Sequence, residues 1–139
     1  MKVYVYFVGK PRDANLNAAS AEYIKRAQRY IKCEVREIDP AKFDPFAKHP
    51  TASRILLDPE GRGMDSNAFA RLIGSAEDEA RDLVFVIGGH DGLPPAWKPR
   101  ADLLLSFSRM TWPHELARVM LAEQIYRGLA ILRGHPYPR

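Results

Sequence analysis

Three apolar runs of this chain each end in small or polar residues of kinds that contact ligands. Leu57-Asp58 closes the first run, Gly88-Gly89 closes the second, and Ser106 to Ser108 closes the third. If the runs are parallel strands, their carboxyl ends meet at one edge of a sheet, where ligands of such sheets bind. The sequence therefore predicts a ligand site built from these three segments.

The segment from Gly88 to Gly92 allows two interpretations. Its glycines could let the backbone approach a flat ligand or a phosphate, or they could simply form a tight turn. The spacing is not the GxGxxG pattern, and Leu93 to Pro99 contains too many prolines for the long helix of a dinucleotide site. This argues against a Rossmann-type NAD site and leaves both interpretations of the glycines open.

Other residues that could do chemistry are scattered. The four histidines are His49, His90, His114 and His135. No two of them form the HxH or HxxxH spacing of metal-binding pairs, so no metal site is expected. The chain has no GxSxG nucleophile motif. Asp91 is either a base or a turn former. Glu123 is predicted to pair with Arg127, four residues further along a helix.

The C-terminal segment is basic. From Ser108 onward the chain carries five arginines against two glutamates, within a formal net charge of +4. Arginine suits bidentate phosphate contacts, although a solvated helix face explains the same charges. The last residues include Tyr137 and Arg139, for which two interpretations are open. The segment could be frayed, or Tyr137 could stack on a base while Arg139 contacts a phosphate.

The elements that must position these residues alternate along the chain. Periodicity predicts strands at 2–8, 33–38, 54–58, 83–87 and 103–107, and helices at 15–31, 66–80 (capped by Ser66) and from about 111–113 to Gly134. A loop is expected at 39–51 and a turn at 59–63. The fold class is therefore α/β, a mainly parallel sheet with helices on both faces, in one domain spanning 1–139. The last helix is apolar on more than one side, so one side could contact another subunit.

The bulk properties predict a cytoplasmic protein that does not enter the membrane. No apolar stretch approaches the ~20 residues of a membrane span, and the first strand is too short and too rich in β-branched residues for a signal peptide. The lone Cys33 cannot form an internal disulfide, which fits a reducing compartment.

Three segments carry a resemblance to a known family. They are Leu56 to Ala70, Phe85 to Leu93 and Ser106 to Arg139, the last containing TxPH, RxxLxEQxYR and a terminal HPYxR. Together they resemble the bacterial 23S ribosomal RNA (pseudouridine-N3)-methyltransferases, of the SPOUT class of α/β-knot enzymes. The resemblance implies a C-terminal trefoil knot, a homodimer, S-adenosylmethionine bound in the knot, and 23S ribosomal RNA in the assembled ribosome as the substrate.

The resemblance also implies roles for individual residues. The expected cofactor-binding residues are Leu57, Gly88, Gly89, Ser108, Arg109, Met110, Thr111, Trp112 and Pro113. The tail residues His135, Tyr137 and Arg139 are expected to reach the cofactor of the partner subunit and complete the RNA site. The sequence departs from the family's GGPEG at His90 and Asp91, and the loop from Pro40 to Pro50 replaces a family helix.

The implied reaction moves a methyl group to N3 of pseudouridine, which must lose its proton. Candidates for accepting it are His114, His135 and Tyr137, with Arg127 or Arg139 stabilising negative charge. His114 could instead cap its helix. Two alternatives to this function stay open, namely a related enzyme that acts on a different RNA and a ribosome-binding factor without catalysis.

Overall fold

The computed structural model describes residues 1–137 and contains ten elements. The strands are β1 (Lys2–Val8), β2 (Lys32–Ile38), β3 (Ser53–Gly63), β4 (Leu83–Ile87) and β5 (Leu103–Ser106). The α-helices are α1 (Ala14–Ala27), α2 (Pro45–Lys48), α3 (Ser66–Asp78) and α4 (His114–Leu132), and a 3-10 helix spans Pro95–Arg100. Among the described residues no helix is long and apolar enough to cross a membrane.

The five strands form one sheet in the order β2-β1-β4-β3-β5, and all neighbours run parallel. Every residue of β4 is buried, because this strand lies in the middle of the sheet and is covered on both faces. Burial of each large apolar side chain there stabilises the fold by about 1.5–3 kcal/mol. The predicted α/β class with a parallel sheet is confirmed.

The two faces of the sheet are covered unequally. Helices α1, α3 and α4 pack together on one face, where Phe69, Ile73 and Leu121 enter the larger core. The opposite face is covered only by α2, the 3-10 helix and loops, through Phe46 and Trp97. The prediction of helices on both faces holds, but all three long helices share one side.

Several predicted boundaries were wrong. Helix α1 ends at Ala27 rather than Ile31, because the chain turns at Gln28 to enter β2. The N-cap of α3 is Asp65 rather than Ser66, since the Asp65 carboxylate accepts a hydrogen bond from the backbone N of Ala68. The loop predicted at 39–51 contains α2, which is capped in the same way by Asp44.

The turn predicted at 59–63 is part of β3. Leu105 of β5 pairs with Leu57 and again with Arg62, so the residues between them form a wide bulge and pairing resumes beyond it. The hydroxyl of Ser106 donates to the carbonyl oxygen of Pro59 in this bulge at 3.1 Å. Segment 58–63 therefore lies closely against β5, while the trefoil knot itself stays a prediction.

Helix α4 begins at His114, directly after the predicted start at 111–113. Its N-cap is Pro113 with no side-chain cap, and the left-handed Gly134 (φ +70°) follows its C-terminus as predicted. Every residue of α4 is either buried or half-buried, and its outer side, which faces away from the sheet, is half-buried.

Candidate active site

The three predicted strand ends meet at a single cavity of about 550 Å³. This volume lies in the range of small-molecule sites. Seven of the predicted cofactor-binding and catalytic residues line it: Leu57, Gly88, Gly89, Ser108, Met110, Trp112 and His114. The cavity is also lined by four other residues considered in the sequence, namely Asp58, His90, Asp91 and Gly92. The parallel register explains the convergence, because β3, β4 and β5 all end at the same edge of the sheet.

The glycine segment forms the tight turn that was one of its two interpretations, while the approach of its backbone to a ligand stays a prediction. It forms a tight turn, in which the backbone N of Gly92 donates to the carbonyl oxygen of Gly89 at 3.0 Å. It also requires close backbone approach, since a Cβ on Gly89 would stand 2.8 Å from the carbonyl oxygen of Val8. A Cβ on Gly88 would stand 2.8 Å from the carbonyl carbon of Gly92. Side chains at these positions would therefore displace the cavity wall.

The loop from Phe107 to Pro113 forms another wall. The hydroxyl of Ser106 lies 2.9 Å from the carbonyl oxygen of Ser108, so its single hydrogen is shared between this oxygen and that of Pro59. The hydroxyl of Ser108 accepts from the backbone N of Met110 at 2.9 Å. Met110 and Trp112 remain 69% and 40% exposed, which leaves two large apolar side chains at the open cavity. Three other residues of the loop, Arg109, Thr111 and Pro113, do not line the cavity. The cofactor contacts of all these loop residues stay predictions.

Two residues that line the cavity form an ion pair. The ammonium of Lys98 lies 2.9 Å from the Asp58 carboxylate, which also accepts from the backbone N of Glu60 at 2.8 Å. The hydrogen bond from Lys98 holds the pKa of Asp58 below its ordinary value although the carboxylate is largely buried. Sequence reasoning missed Lys98, whose only signal was its place in the proline-rich segment after the glycines.

His114 faces the cavity from the first turn of α4. A Cβ built on Gly9 would stand 3.9 Å from His114 Nε2 and 4.0 Å from Gly89 Cα, so the β1–α1 loop also borders this region. No side-chain cap bond is made at the start of α4, so the alternative that His114 caps its helix is not realised.

The described part of the tail lies away from the cavity of its own chain. The Tyr137 hydroxyl donates to the Glu123 carboxylate at 2.5 Å, and its ring packs on Tyr126 with centroids 4.6 Å apart. Burial and this hydrogen bond raise the pKa of Tyr137. His135 Nδ1 accepts from the backbone N of Tyr137, while Arg139 lies outside the described residues.

The predicted pair on α4 is confirmed and belongs to the same cluster as Tyr137. Arg127 donates from Nε to Oε1 of Glu123 at 3.1 Å and from Nη2 to Oε2 at 2.6 Å. The Arg127 guanidinium carbon also lies 5.4 Å from the centroid of the Tyr137 ring. Glu123 is therefore fully engaged as an acceptor and holds the tail against α4.

Comparisons with known proteins agree with this geometry. A family model described as "Predicted SPOUT methyltransferase" matches residues 1–138. The ribosomal RNA large subunit methyltransferase H of Solibacter usitatus is 63% identical over 139 residues, which is 100% of both chains.

Solved structures share the fold at low sequence identity. A probable methylase family protein from Haemophilus influenzae has a TM-score of 0.63 at 9% identity, covering 99% of this chain and 70% of that one. The SpoU methyltransferase AviRb from Streptomyces viridochromogenes, solved with the cofactor AdoMet, has a TM-score of 0.51 at 15% identity, covering 89% and 56%. By fold and by the match along nearly its whole length, this chain belongs to the SPOUT methyltransferase family.

Proposed function

We propose that this protein is an S-adenosylmethionine-dependent methyltransferase that modifies N3 of a pseudouridine in 23S ribosomal RNA. The observation that carries the proposal is that one cavity brings together Leu57, Gly89 and the loop around Ser108. These are residues to which the family resemblance assigns the cofactor. The name and the full-length identity of the Solibacter relative support the same substrate class.

The cavity fits the cofactor in size and in chemistry. Leu57, Met110 and Trp112 offer apolar surface to a flat ring, and the glycine backbone permits close approach without side chains. S-adenosylmethionine, when bound, supplies a methyl group on a sulfonium, which is a good leaving group. The residues of the protein must therefore hold the acceptor in line and exclude water.

The remaining task is to take the N3 proton. His114 is the proposed acceptor, because of the three candidates His114, His135 and Tyr137 it is the one that lines the cavity, and an imidazole nitrogen is a suitable general base. Tyr137 suits a different role. Burial and its hydrogen bond to Glu123 raise the pKa of this phenol, which disfavours the loss of its proton, so Tyr137 would position the RNA base rather than remove a proton from it.

We further propose that the active unit is a homodimer in which the tail of one chain completes the site of the other. A second depression of about 520 Å³ lies on the half-buried side of α4, lined by apolar side chains that include Phe107, Val119 and Met120. Such a surface suits a second subunit. Tyr137 lies near this side of α4, bonded to Glu123, and a tail placed there is available to a partner.

The proposed setting is the assembled ribosome in the cytoplasm, with residues 1–139 acting as a single domain. A ribosomal substrate fits the modest net charge of +4, since the particle itself would present the nucleotide to so small a protein.

The test is methyl transfer from labelled S-adenosylmethionine to ribosomes from a strain that lacks the protein, followed by mass mapping of the modified nucleotide. Label at N3 of a pseudouridine in large-subunit RNA is expected. His114→Gln should lower kcat at least about a hundredfold if this histidine takes the proton. His49→Gln is the matched control, because His49 lies on the opposite face of the sheet beside Tyr6.

Different outcomes separate the alternatives. Label on transfer RNA but not on ribosomes would replace the proposed substrate with another RNA. Cofactor binding without transfer to any RNA would refute the proposed reaction, and binding to ribosomes without cofactor binding would favour a non-catalytic factor.

A further inference from the structure

The β1–α1 loop, residues 9–13, lies beside the cavity although no cofactor role is assigned to it. Gly9 opens the loop next to His114 and Gly89, at the distances given above. Residues 10–13 are all exposed. The loop therefore extends into solvent from the rim where an RNA base would enter.

The start of α4 fixes this loop in place. The Glu115 carboxylate accepts hydrogen bonds from the backbone N of Arg12 at 2.5 Å and of Asp13 at 3.1 Å. One turn later, the buried Arg118 donates to Asn17 of α1, and its guanidinium carbon lies 3.9 Å from the centroid of the Phe7 ring. Glu115 therefore holds the loop directly, and Arg118 holds the two elements that flank it. A loop fixed in this way loses little conformational freedom when it binds a partner.

The charges on the loop are available for a partner. Among the ion pairs of residues 1–137, none includes Lys10 or Arg12. The only acidic residue of the loop, Asp13, uses its carboxylate to cap α1 through the backbone N of Asn15 and Leu16. Two exposed cations thus remain on a rigid backbone beside the site.

We infer that Lys10 and Arg12 form a phosphate-contact surface for the RNA strand that carries the target base. The inference deepens the proposed function and rests on it, since an RNA substrate supplies the anionic backbone. A base that enters the cavity brings its own phosphates to the rim, and contacts of this kind set position without reading sequence.

The experiment compares two double variants with the same loss of charge. Lys10→Ala/Arg12→Ala removes the proposed contacts. Lys32→Ala/Arg29→Ala is the matched control, because Lys32 begins β2 and Arg29 lies just after α1, at the opposite end of the parallel strands. Binding to ribosomes from a strain that lacks the protein is measured from 50 to 200 mM salt.

The expected result is a change in salt dependence specific to the loop. Each lost phosphate contact lowers the slope of log K against log salt by about 0.7–0.9, so the loop variant should lose roughly 1.4–1.8. Between 200 and 50 mM salt, the ratio of wild-type affinity to variant affinity should therefore grow about tenfold. Cofactor affinity should match that of the wild type, and the control variant should keep the wild-type slope.

Two results would overturn the inference. One is a slope equal to that of the control. The other is a loss of affinity that is seen with intact ribosomes but not with protein-free 23S RNA, which would mean that the loop contacts a ribosomal protein instead of RNA. Methyl transfer by the wild-type protein is scored separately. Its absence would refute the proposed function, while the salt slopes would still decide the role of the loop.

Discussion

The close approach of Gly89 to β1 makes a substitution there a sharp test of the site. Replacing Gly89 with alanine places a methyl group 2.8 Å from the carbonyl oxygen of Val8 and 3.3 Å from its carbonyl carbon. Both are backbone atoms of a strand paired on each side, so neither can move aside cheaply. The β4 end and the glycine turn must shift instead, and with them the wall of the cavity.

The size of the effect follows from two opposing terms. Overpacking in a tight interior costs about 1–3 kcal/mol. The smaller conformational freedom of alanine in the unfolded chain offsets about 0.4–1 kcal/mol of that cost. The free energy of unfolding should therefore fall by about 1.3 kcal/mol, the middle of a range of roughly 0–2.6 kcal/mol. Cofactor affinity should fall at least about tenfold if Gly89 contacts the cofactor, because a factor of ten corresponds to only 1.4 kcal/mol.

The matched control is Gly63→Ala in β3, where a Cβ would meet nothing within 4 Å. Urea unfolding at one fixed chain concentration and calorimetric titration with S-adenosylmethionine measure both quantities. Gly63→Ala should raise the free energy of unfolding by about 0.4–1 kcal/mol through the unfolded chain alone and leave binding unchanged. Equal stability and equal cofactor affinity for the two variants would refute the steric argument and the placement of Gly89 in the site.

Three further predictions concern side chains around the cavity. Lys98→Ala should destabilise the protein most at neutral pH and progressively less below about pH 4. The reason is that Lys98 lowers the pKa of Asp58 in the folded protein, and the resulting stabilisation is present above the unfolded pKa of Asp58 and lost on acidification. Urea unfolding of both proteins from pH 3 to 7 measures the difference in stability, and a difference that does not change with pH would contradict the prediction. Tyr137→Phe should lower kcat at least about tenfold with cofactor affinity within about twofold of wild type, measured by methyl transfer and calorimetry; an unchanged kcat would remove Tyr137 from the reaction. Glu115→Ala should speed amide hydrogen exchange at Arg12, whose backbone N loses its acceptor, and unchanged protection would show that the loop is held in another way.

The order of the elements and the class of the fold were predictable because they rest on local patterns. The apolar run from Leu83 to Ile87 reads as a strand in isolation, and the structure buries every residue of it. The pair of Glu123 and Arg127 was predictable for the same reason, since a spacing of four residues places both side chains on one side of a helix.

Boundaries were less predictable where long-range contacts decided them. Segment 59–63 has the composition of a turn, yet it is strand because Arg62 finds a pairing partner in Leu105 of β5. Helix α1 could have continued to Ile31 by periodicity, but the chain must turn at Gln28 to place β2 beside β1.

The sequence by itself determined which residues could form the site, because three strand ends carry glycine, serine and apolar side chains in a pattern shared with a known family. Only the tertiary structure decided which of them meet. It brought Leu57, Gly89 and His114 to one cavity, paired Lys98 with Asp58 across 40 residues, and laid the β1–α1 loop on the start of α4. Contacts between residues far apart in sequence depend on sheet order and on which helix covers which strand, and no local pattern specifies either.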